Sequence, residues 1–395
     1  MKCKLSKNSL FFKNYLKKIV IFGLILSWVF AGFPQIFNFP PEIQETQAAG
    51  WLTDWNKRIK ITTDQTDIDA DLTDFPILVY LSSSSGRNSD DVTAVFTEVG
   101  ANSKKIAVTT SDGTTQCYVE IEKWDYTGTP STSKAWLWVK APSVSGTVDT
   151  DFYLYYDNNQ ADNTTYVGDP NSTPAENVWD TNSKLVTHMR DDPDNSHIRD
   201  STSNNNDGTK KAAGEPAVTT SGKIDDAQDF DGVDDYVSVR NGASLNVGNV
   251  FTVEAWIKTP VPNSRMTIYS TGYTGTGFIF GTTSGGSSGG LEVYYPGVYV
   301  ANTAGGLLSA NIWYHVVYTR SGTGSGTHKF YINGVSQALT RDEAQNFEDT
   351  TANKLIGYRS GYIFNGLIDE VRIYSRALTP QEISDHYIIG KEMFG

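Results

Sequence analysis

The sequence predicts an all-β protein built from two β-sandwich domains. Short runs of β-branched and aromatic residues alternate with polar ones, and glycine, asparagine, aspartate and proline separate the runs. This pattern is typical of sandwiches and barrels. No helical period extends beyond a turn or two before the C-terminal end. The 395 residues are enough for two domains of roughly 100–200 residues each.

The clearest alternation predicts strands at 57–61, 75–81, 134–140, 151–156, 251–257 and 313–319. Asp-Gly and Asn-Gly pairs predict tight turns between strands, because these residues accept positive φ. They lie at 231–232, 333–334 and 365–366. Thr379-Pro380-Gln381-Glu382 has the form of a capping box with proline at the first helical position, so we expect a short closing helix to about Tyr387.

The first 49 residues predict a secretory signal. Six lysines precede or border an apolar run at 19–33, and small residues follow at Ala48-Ala49-Gly50, which is the order of a Sec-type signal peptide. The run is short for the roughly 20 apolar residues that cross a bilayer. We expect cleavage and a secreted or cell-surface protein, and an uncleaved membrane anchor is the alternative.

Removal of this segment makes the chain more acidic and leaves one cysteine. The segment holds six of the 32 basic and two of the 45 acidic residues, so the net charge changes from −13 to −17. An acidic surface repels nucleic acid and anionic membranes and attracts divalent cations. We expect no nucleic-acid partner and no membrane contact beyond the signal. Cys3 leaves with the signal, so Cys117 has no disulfide partner.

The remaining chain divides at a polar stretch. Residues 160–177 are rich in Asn, Asp, Thr and Pro, and we expect a linker there. This places a first β-sandwich domain of unknown function at 50–159 and a second domain at 178–390.

The second half resembles the LamG-like, concanavalin A-like jelly-roll family. The matching stretches follow the order of that family and include the Phe-Asp-Gly-Val-Asp-Asp-Tyr-Val motif; they lie at 200–209, 230–237, 251–257, 313–317, 330–335, 356–359, 364–374 and 376–383. The resemblance implies a jelly roll.

The first half resembles a bacterial domain of unknown function (2341) that commonly precedes LamG modules, at 55–59, 74–79, 118–125, 136–140 and 153–158. That second resemblance implies no activity.

Calcium is the metal that the sequence favours. Members of the LamG-like family sometimes hold a structural calcium, which implies ligands at the matched positions Asp200, Asp231 and Asp369. A hard cation such as calcium is bound by six to eight oxygen atoms, which carboxylates and backbone carbonyls in oxygen-rich turns can supply. Ordinary Asx-turns are the alternative interpretation. No other cofactor is expected.

Tyrosines in predicted loops are the candidate ligand-binding residues. They lie beside a Gly/Ser tract and around a Ser-Gly pair, and are Tyr294, Tyr295, Tyr299, Tyr358 and Tyr362. A tyrosine can stack on a sugar ring while its hydroxyl group forms hydrogen bonds. Cross-strand packing inside a sheet is the alternative.

We predict no catalytic residue. Glu120 and Glu122 share one face of a strand, about 6–7 Å apart, close to the roughly 5–5.5 Å of retaining glycosidases. The next alternate position is Trp124 instead of a third acid, so we expect the pair on a solvated strand face.

The sequence therefore favours a secreted or cell-surface recognition module that binds glycan or an extracellular protein, without catalysis. A structural surface or adhesin component is one alternative. A glycan-active hydrolase on a concanavalin A-like fold is the other.

Overall fold

The computed structural model describes residues 3–6, 50–68, 70–86, 88–272 and 276–392. Most regular structure in this part of the chain is β-strand, which confirms the predicted all-β class. The predicted signal at 1–49 lies outside the described residues except for Cys3–Ser6, a strand that pairs antiparallel with Arg58–Thr63. Within the described ranges, no helix has the length and apolar character needed to cross a bilayer.

The first domain is a sandwich of two sheets. Its strands are β1 (Cys3–Ser6), β2 (Arg58–Thr63), β3 (Leu72–Leu81), β4 (Ile106–Thr110), β5 (Gln116–Cys117), β6 (Val119–Asp125), β7 (Lys134–Val144), β8 (Thr150–Tyr156) and β9 (Val167–Gly168), and helix α1 spans Ala94–Val99. One sheet has the order β1-β2-β8-β4-β5 and the other β3-β7-β6-β9. Apolar side chains of both sheets, such as Ile61, Leu137 and Phe152, are buried between them.

Part of the predicted linker at 160–177 belongs to the fold. Strand β9 pairs in parallel with β6, and helix α2 (Thr173–Glu176) follows it. Pro174 and Ala175 on this helix are buried. The segment therefore packs along the first domain instead of extending between domains.

The second domain also consists of two sheets. Its strands are β10 (Ser183–Thr187), β11 (His197–Ile198), β12 (Gly208–Lys210), β13 (Ala217–Thr219), β14 (Ala227–Asp231), β15 (Val237–Val239), β16 (Val250–Lys258), β17 (Thr267–Ser270), β18 (Ile279–Thr282), β19 (Leu291–Tyr295), β20 (Val298–Thr303), β21 (Tyr314–Ser321), β22 (His328–Ile332), β23 (Val335–Gln337), β24 (Leu339–Asp342), β25 (Lys354–Ile356) and β26 (Asn365–Tyr374), and helix α3 spans Pro380–Glu392.

These strands form one sheet in the order β13-β14-β26-β16-β21-β22-β23, with β10 added to β26, and a second in the order β11-β12-β15-β25-β17-β18-β19-β20-β24. Along β16, Phe251, Val253 and Ala255 point into the core between the sheets. Glu254 and Trp256 lie on the opposite face, yet both are also buried. The first sheet is therefore covered on both faces.

The outer face of this sheet, which carries Glu254 and Trp256, is covered at the junction between the two domains. Trp179, Val186, Ile224 and Ile389 of the second domain belong to the apolar core of the first. Helix α3 begins at the predicted Pro380, and Thr379 and Glu382 exchange capping hydrogen bonds (2.9 and 3.2 Å). The helix is longer than predicted. The apolar core of the first domain therefore extends into the junction with the second domain, whose own core is separate.

Candidate functional site

Three predicted tyrosines lie together on the outer face of the β17–β20 sheet. Along β19, Leu291 and Val293 enter the core, so the alternate residue Tyr294 faces outwards. Tyr299, on the paired strand β20, is 43% exposed. The rings of Tyr294 and Tyr299 meet edge to face at 5.0 Å. A sequence-predicted pair is thus placed on the surface.

Two arginines complete this tyrosine–arginine surface, which consists of Arg265, Tyr294, Tyr299, Arg359 and Tyr362. The Arg265 guanidinium lies 4.7 Å from the Tyr299 ring centre and 5.4 Å from that of Tyr362. Arg359 lies 5.4 Å from the ring centre of Tyr294 and 4.8 Å from that of Tyr362. Such contacts between guanidinium groups and aromatic faces are attractive, so the rings and cations hold one another in place.

Arg265 is fixed from below by a carboxylate. Its Nε and Nη2 atoms lie 2.7 and 2.8 Å from the two oxygens of Glu292, and its Nη1 donates to the Tyr299 hydroxyl at 2.6 Å. Burial raises the pKa of Glu292, although Arg265 lowers it in part. The ion pair with Glu292 and the hydrogen bonds from Nη2 and Nη1 orient the guanidinium. Sequence reasoning missed both residues, because they lie 27 positions apart.

The other two predicted tyrosines are placed differently. Tyr295 packs against the domain core, and its ring stacks on Phe347 with 5.9 Å between centres. Tyr358 meets Tyr236 edge to face at 5.5 Å. Packing against the core therefore describes Tyr295 better than a surface site does, although Phe347 lies outside the strands and this contact is not cross-strand packing.

The three predicted calcium ligands are not brought together. The carboxylate oxygens of Asp200, Asp231 and Asp369 do not form a group within 4.8 Å among the described residues. Asp200 accepts hydrogen bonds from the backbone N–H groups of Val186 (3.1 Å) and Asn206 (2.8 Å). Burial raises its pKa to about 6. Its oxygens thus serve a structural turn.

Asp369 and Asp231 have backbone partners as well. Asp369 accepts from the N–H groups of Lys223 (2.7 Å) and Ile224 (2.9 Å). Asp231 accepts from that of Val233 at 2.7 Å, which is an Asx-turn. Asp231 does lie within 4.8 Å of carboxylate oxygens of Asp234 and Asp235. Calcium binding stays a prediction.

A buried charged cluster at the domain junction was not predicted. Glu120 and Glu122 are 0% and 1% exposed, so the expected solvated face for this pair was wrong. Trp179 donates to Glu120 at 2.7 Å, and Trp138 donates to Glu122 at 2.7 Å. Ser201 also donates to Glu120. The second domain covers Glu120 through Trp179 and Ser201, and its His188 lies 3.4 Å from Glu122.

His188 lies at the centre of this cluster. Its Nδ1 is 2.7 Å from Glu370 Oε1 and 3.4 Å from Glu122 Oε2, and its Nε2 is 3.4 Å from Glu120 Oε1. Burial alone would lower the pKa of His188, but the three carboxylates raise it well above its ordinary value. Burial raises the pKa of Glu122 to about 8, although His188 opposes this shift.

Arg372 closes the cluster from the second domain. It donates to Glu370 Oε2 at 2.5 Å, and its guanidinium lies 4.6 and 5.1 Å from the ring centres of Trp138 and Trp179. Burial alone would raise the pKa of Glu370, but His188 and Arg372 lower it. The junction therefore holds charged groups away from water.

The comparison with family models concerns the C-terminal half. Residues 231–384 match the concanavalin A-like lectin/glucanases superfamily, Laminin_G_3. The match includes all five residues of the tyrosine–arginine surface and supports the jelly roll in the second domain. The relationship of the first half to the domain of unknown function (2341) stays a prediction. The comparison with curated proteins found no match.

Three solved structures are similar to about half of this chain. Domain 4 of AbnA, a GH43 extracellular arabinanase from Geobacillus stearothermophilus, in complex with arabinotriose, is 24% identical over 52% of this chain and 98% of its own, with a TM-score of 0.36. The binding domain of Paraclostridial Mosquitocidal Protein 1 is 18% identical over 52% of each chain, with a TM-score of 0.38. Botulinum neurotoxin type C, studied for its interaction with two gangliosides, is 17% identical over 53% of this chain and 51% of its own, with a TM-score of 0.40.

Proposed function

We propose that this chain is a secreted or cell-surface glycan-recognition protein that binds sugar at the tyrosine–arginine surface. The observation that carries the proposal is the grouping of Tyr294, Tyr299 and Tyr362 around Arg265 and Arg359 on an outer sheet face. Ring faces stack on the apolar face of a sugar, and guanidinium groups donate to its hydroxyl or carboxylate groups. Secretion rests on the N-terminal sequence pattern alone.

The family match points to the same class of ligand. The superfamily that residues 231–384 match is named for lectins, which bind glycans, and glucanases, which hydrolyse them. Fold alone does not assign a ligand, so the proposal depends on the surface residues. Rigid placement also favours binding, because Glu292 and Tyr299 already hold Arg265 in position and little side-chain freedom is lost.

The proposal includes the absence of catalysis by the carboxylate pair. Glu120 and Glu122 are buried against Trp138, Trp179 and Ser201, so a polysaccharide cannot reach them without separating the domains. Glu292, the acid at the tyrosine–arginine surface, is engaged at both oxygens by Arg265. A binding role therefore fits these residues better than hydrolysis does.

Affinity electrophoresis in gels that contain neutral or uronate-bearing polysaccharides tests the proposal. We expect at least one polysaccharide to retard the full chain. Tyr299→Ala should weaken the retardation by about 2- to 13-fold in affinity, because ring stacking contributes roughly 0.5–1.5 kcal/mol. Val298→Ala, also exposed (41%) and adjacent on β20, should leave it unchanged.

Two results would contradict the proposal. One is the absence of retardation by every polysaccharide of a broad panel. The other is equal retardation of the wild type and Tyr299→Ala by the same polysaccharide. Release of reducing sugar by the wild type would instead favour the hydrolase alternative.

A further inference from the structure

Three side chains at the domain junction form a second candidate site, apart from the tyrosine–arginine surface. Glu122 on β6, His188 directly after β10 and Glu370 on β26 each bring one ligand atom within 4.8 Å of the others. We propose that Glu122, His188 and Glu370 bind one zinc-type divalent metal ion that fastens the two domains together.

The distances fit such an ion with a small adjustment. Zinc bonds of about 2.0–2.2 Å to nitrogen and oxygen place neighbouring ligand atoms about 3.3 Å apart in a tetrahedron. The distance from His188 Nδ1 to Glu122 Oε2 is 3.4 Å. The distance from His188 Nδ1 to Glu370 Oε1 is 2.7 Å, so Glu370 would move by about half an ångström on metal binding.

One oxygen in the cluster has no partner. Glu122 Oε1 is buried, and no protein group donates a hydrogen bond to it among the described residues. Buried polar atoms are ordinarily satisfied, and an exception requires an explanation such as an ion. A cation bound by both oxygens of Glu122 would satisfy Oε1 and provide a fourth ligand atom.

The groups around the ligands have the arrangement expected of a metal centre. A metal-bound histidine usually directs its other ring nitrogen at a carboxylate, and ligating carboxylates are themselves hydrogen-bonded. Here His188 Nε2 has no hydrogen bond within the described residues, and Glu120 Oε1 lies 3.4 Å from it, close enough to accept one after a small shift. Trp138 donates to Glu122 Oε2 at 2.7 Å, and Arg372 donates to Glu370 Oε2 at 2.5 Å.

The charges favour a divalent ion. With His188 neutral, as a metal ligand must be, the two ligand carboxylates of Glu122 and Glu370 carry two formal negative charges, which a divalent cation balances. The histidine nitrogen favours zinc over calcium, which prefers oxygen ligands. Since all three ligand residues are buried, the ion would have a structural role.

Metal analysis of the untagged full chain tests the proposal. The protein is unfolded with chelator, refolded with or without Zn²⁺, and freed of loose metal before mass-spectrometric metal analysis. We expect one zinc per chain and a melting midpoint about 5 °C higher than in the metal-free protein. Co²⁺ in place of Zn²⁺ should give the visible bands of a four-coordinate site without thiolate.

Three variants locate the ion. Glu122→Gln should lose the bound zinc, whereas Glu120→Gln should retain it with an affinity roughly 10–100-fold weaker. Asp234→Asn, in the acidic group beside Asp231, should bind zinc like the wild type. Failure of the wild type to take up zinc and Co²⁺ overturns the proposal, as does full zinc uptake by Glu122→Gln. If Glu122→Gln does not fold, the wild-type Co²⁺ spectrum decides.

Discussion

At the scale of single residues, Glu254 shows how a buried carboxylate depends on its neighbours. It accepts hydrogen bonds from Tyr374 and His386, both at 3.0 Å, and His315 lies 3.4 Å away. Arg372 approaches to 3.9 Å. Burial alone would raise the pKa of Glu254, but His386 and His315 hold it well below its ordinary value. The charged form is therefore the one that stabilises the fold.

This environment predicts sensitivity to acid. Because the folded pKa of Glu254 lies below the unfolded value of about 4.3, its contribution is present above about pH 4.3 and is lost as the pH falls further. Glu254→Gln should lower the free energy of unfolding by about 3–5 kcal/mol at pH 7. It should also reduce the loss of stability as the pH falls below about 4.3, measured by urea unfolding at each pH.

An exposed carboxylate provides the control. Glu343 pairs with Arg341 at 3.6 Å, with both side chains about half exposed, so Glu343→Gln should change stability by less than about 1 kcal/mol. Stability curves against pH that run parallel for the wild type and Glu254→Gln would show that Glu254 does not carry the acid sensitivity.

At the scale of elements, strand β26 requires a glycine where it crosses β16. Gly366 has φ +124°, and a Cβ there would lie 2.3 Å from the carbonyl oxygen of Lys258 on β16. This backbone conformation is strained for residues other than glycine. The carbonyl oxygen of Lys258 is a backbone atom, so it cannot move aside as a flexible side chain would. The glycine thus permits the close pairing of these two strands.

We expect Gly366→Ala to cost roughly 3 kcal/mol or more, since backbone strain and overpacking each cost about 1–3 kcal/mol. Gly361→Ala is the matched control. Gly361 also has positive φ (+84°), but a methyl group at this position would meet nothing within 4 Å, so strain of about 1 kcal/mol remains. Chemical denaturation measures both. Equal losses would mean that the Lys258 contact is relieved by a shift of β26.

Local signals predicted some elements correctly and failed at this strand. Asn333-Gly334 forms the expected turn between β22 and β23, with φ of 53° and 77°. The similar pair Asn365-Gly366 was predicted as a turn but begins β26. The two dipeptides are chemically alike, and the difference arises from the approach of β16, more than a hundred positions earlier. Distant pairing of this kind is not encoded in the dipeptide.

The same distinction applies to the candidate sites. Tyr294 and Tyr299 could be predicted as candidate binding residues because they follow a Gly/Ser tract, and a turn exposes the residues next to it. Nothing near Glu120 in the sequence indicates burial, since its partners Trp179 and Ser201 are 59 and 81 positions away. The charged cluster therefore required knowledge of how the domains meet.

At the scale of the whole molecule, the domains share a junction that is both apolar and ionic. Phe75 of the first domain stacks on His386 of helix α3, with 5.6 Å between ring centres. Lys123 Nζ lies 2.7 Å from Asp225 and 3.1 Å from Asp226. Separation of the domains would expose these groups to water, so the contacts favour a fixed arrangement of the first domain on the jelly roll.

A shared junction predicts a single cooperative unfolding transition. Calorimetry of the full chain should give one peak with equal calorimetric and van't Hoff enthalpies. Phe75→Ala at the junction and Leu291→Ala in the core of the second domain should each lower the temperature of that single peak. The two substitutions reduce the free energy of unfolding by about 3–5 and 2–5 kcal/mol. Two peaks, of which Phe75→Ala moved only one and Leu291→Ala only the other, would mean that the domains unfold independently.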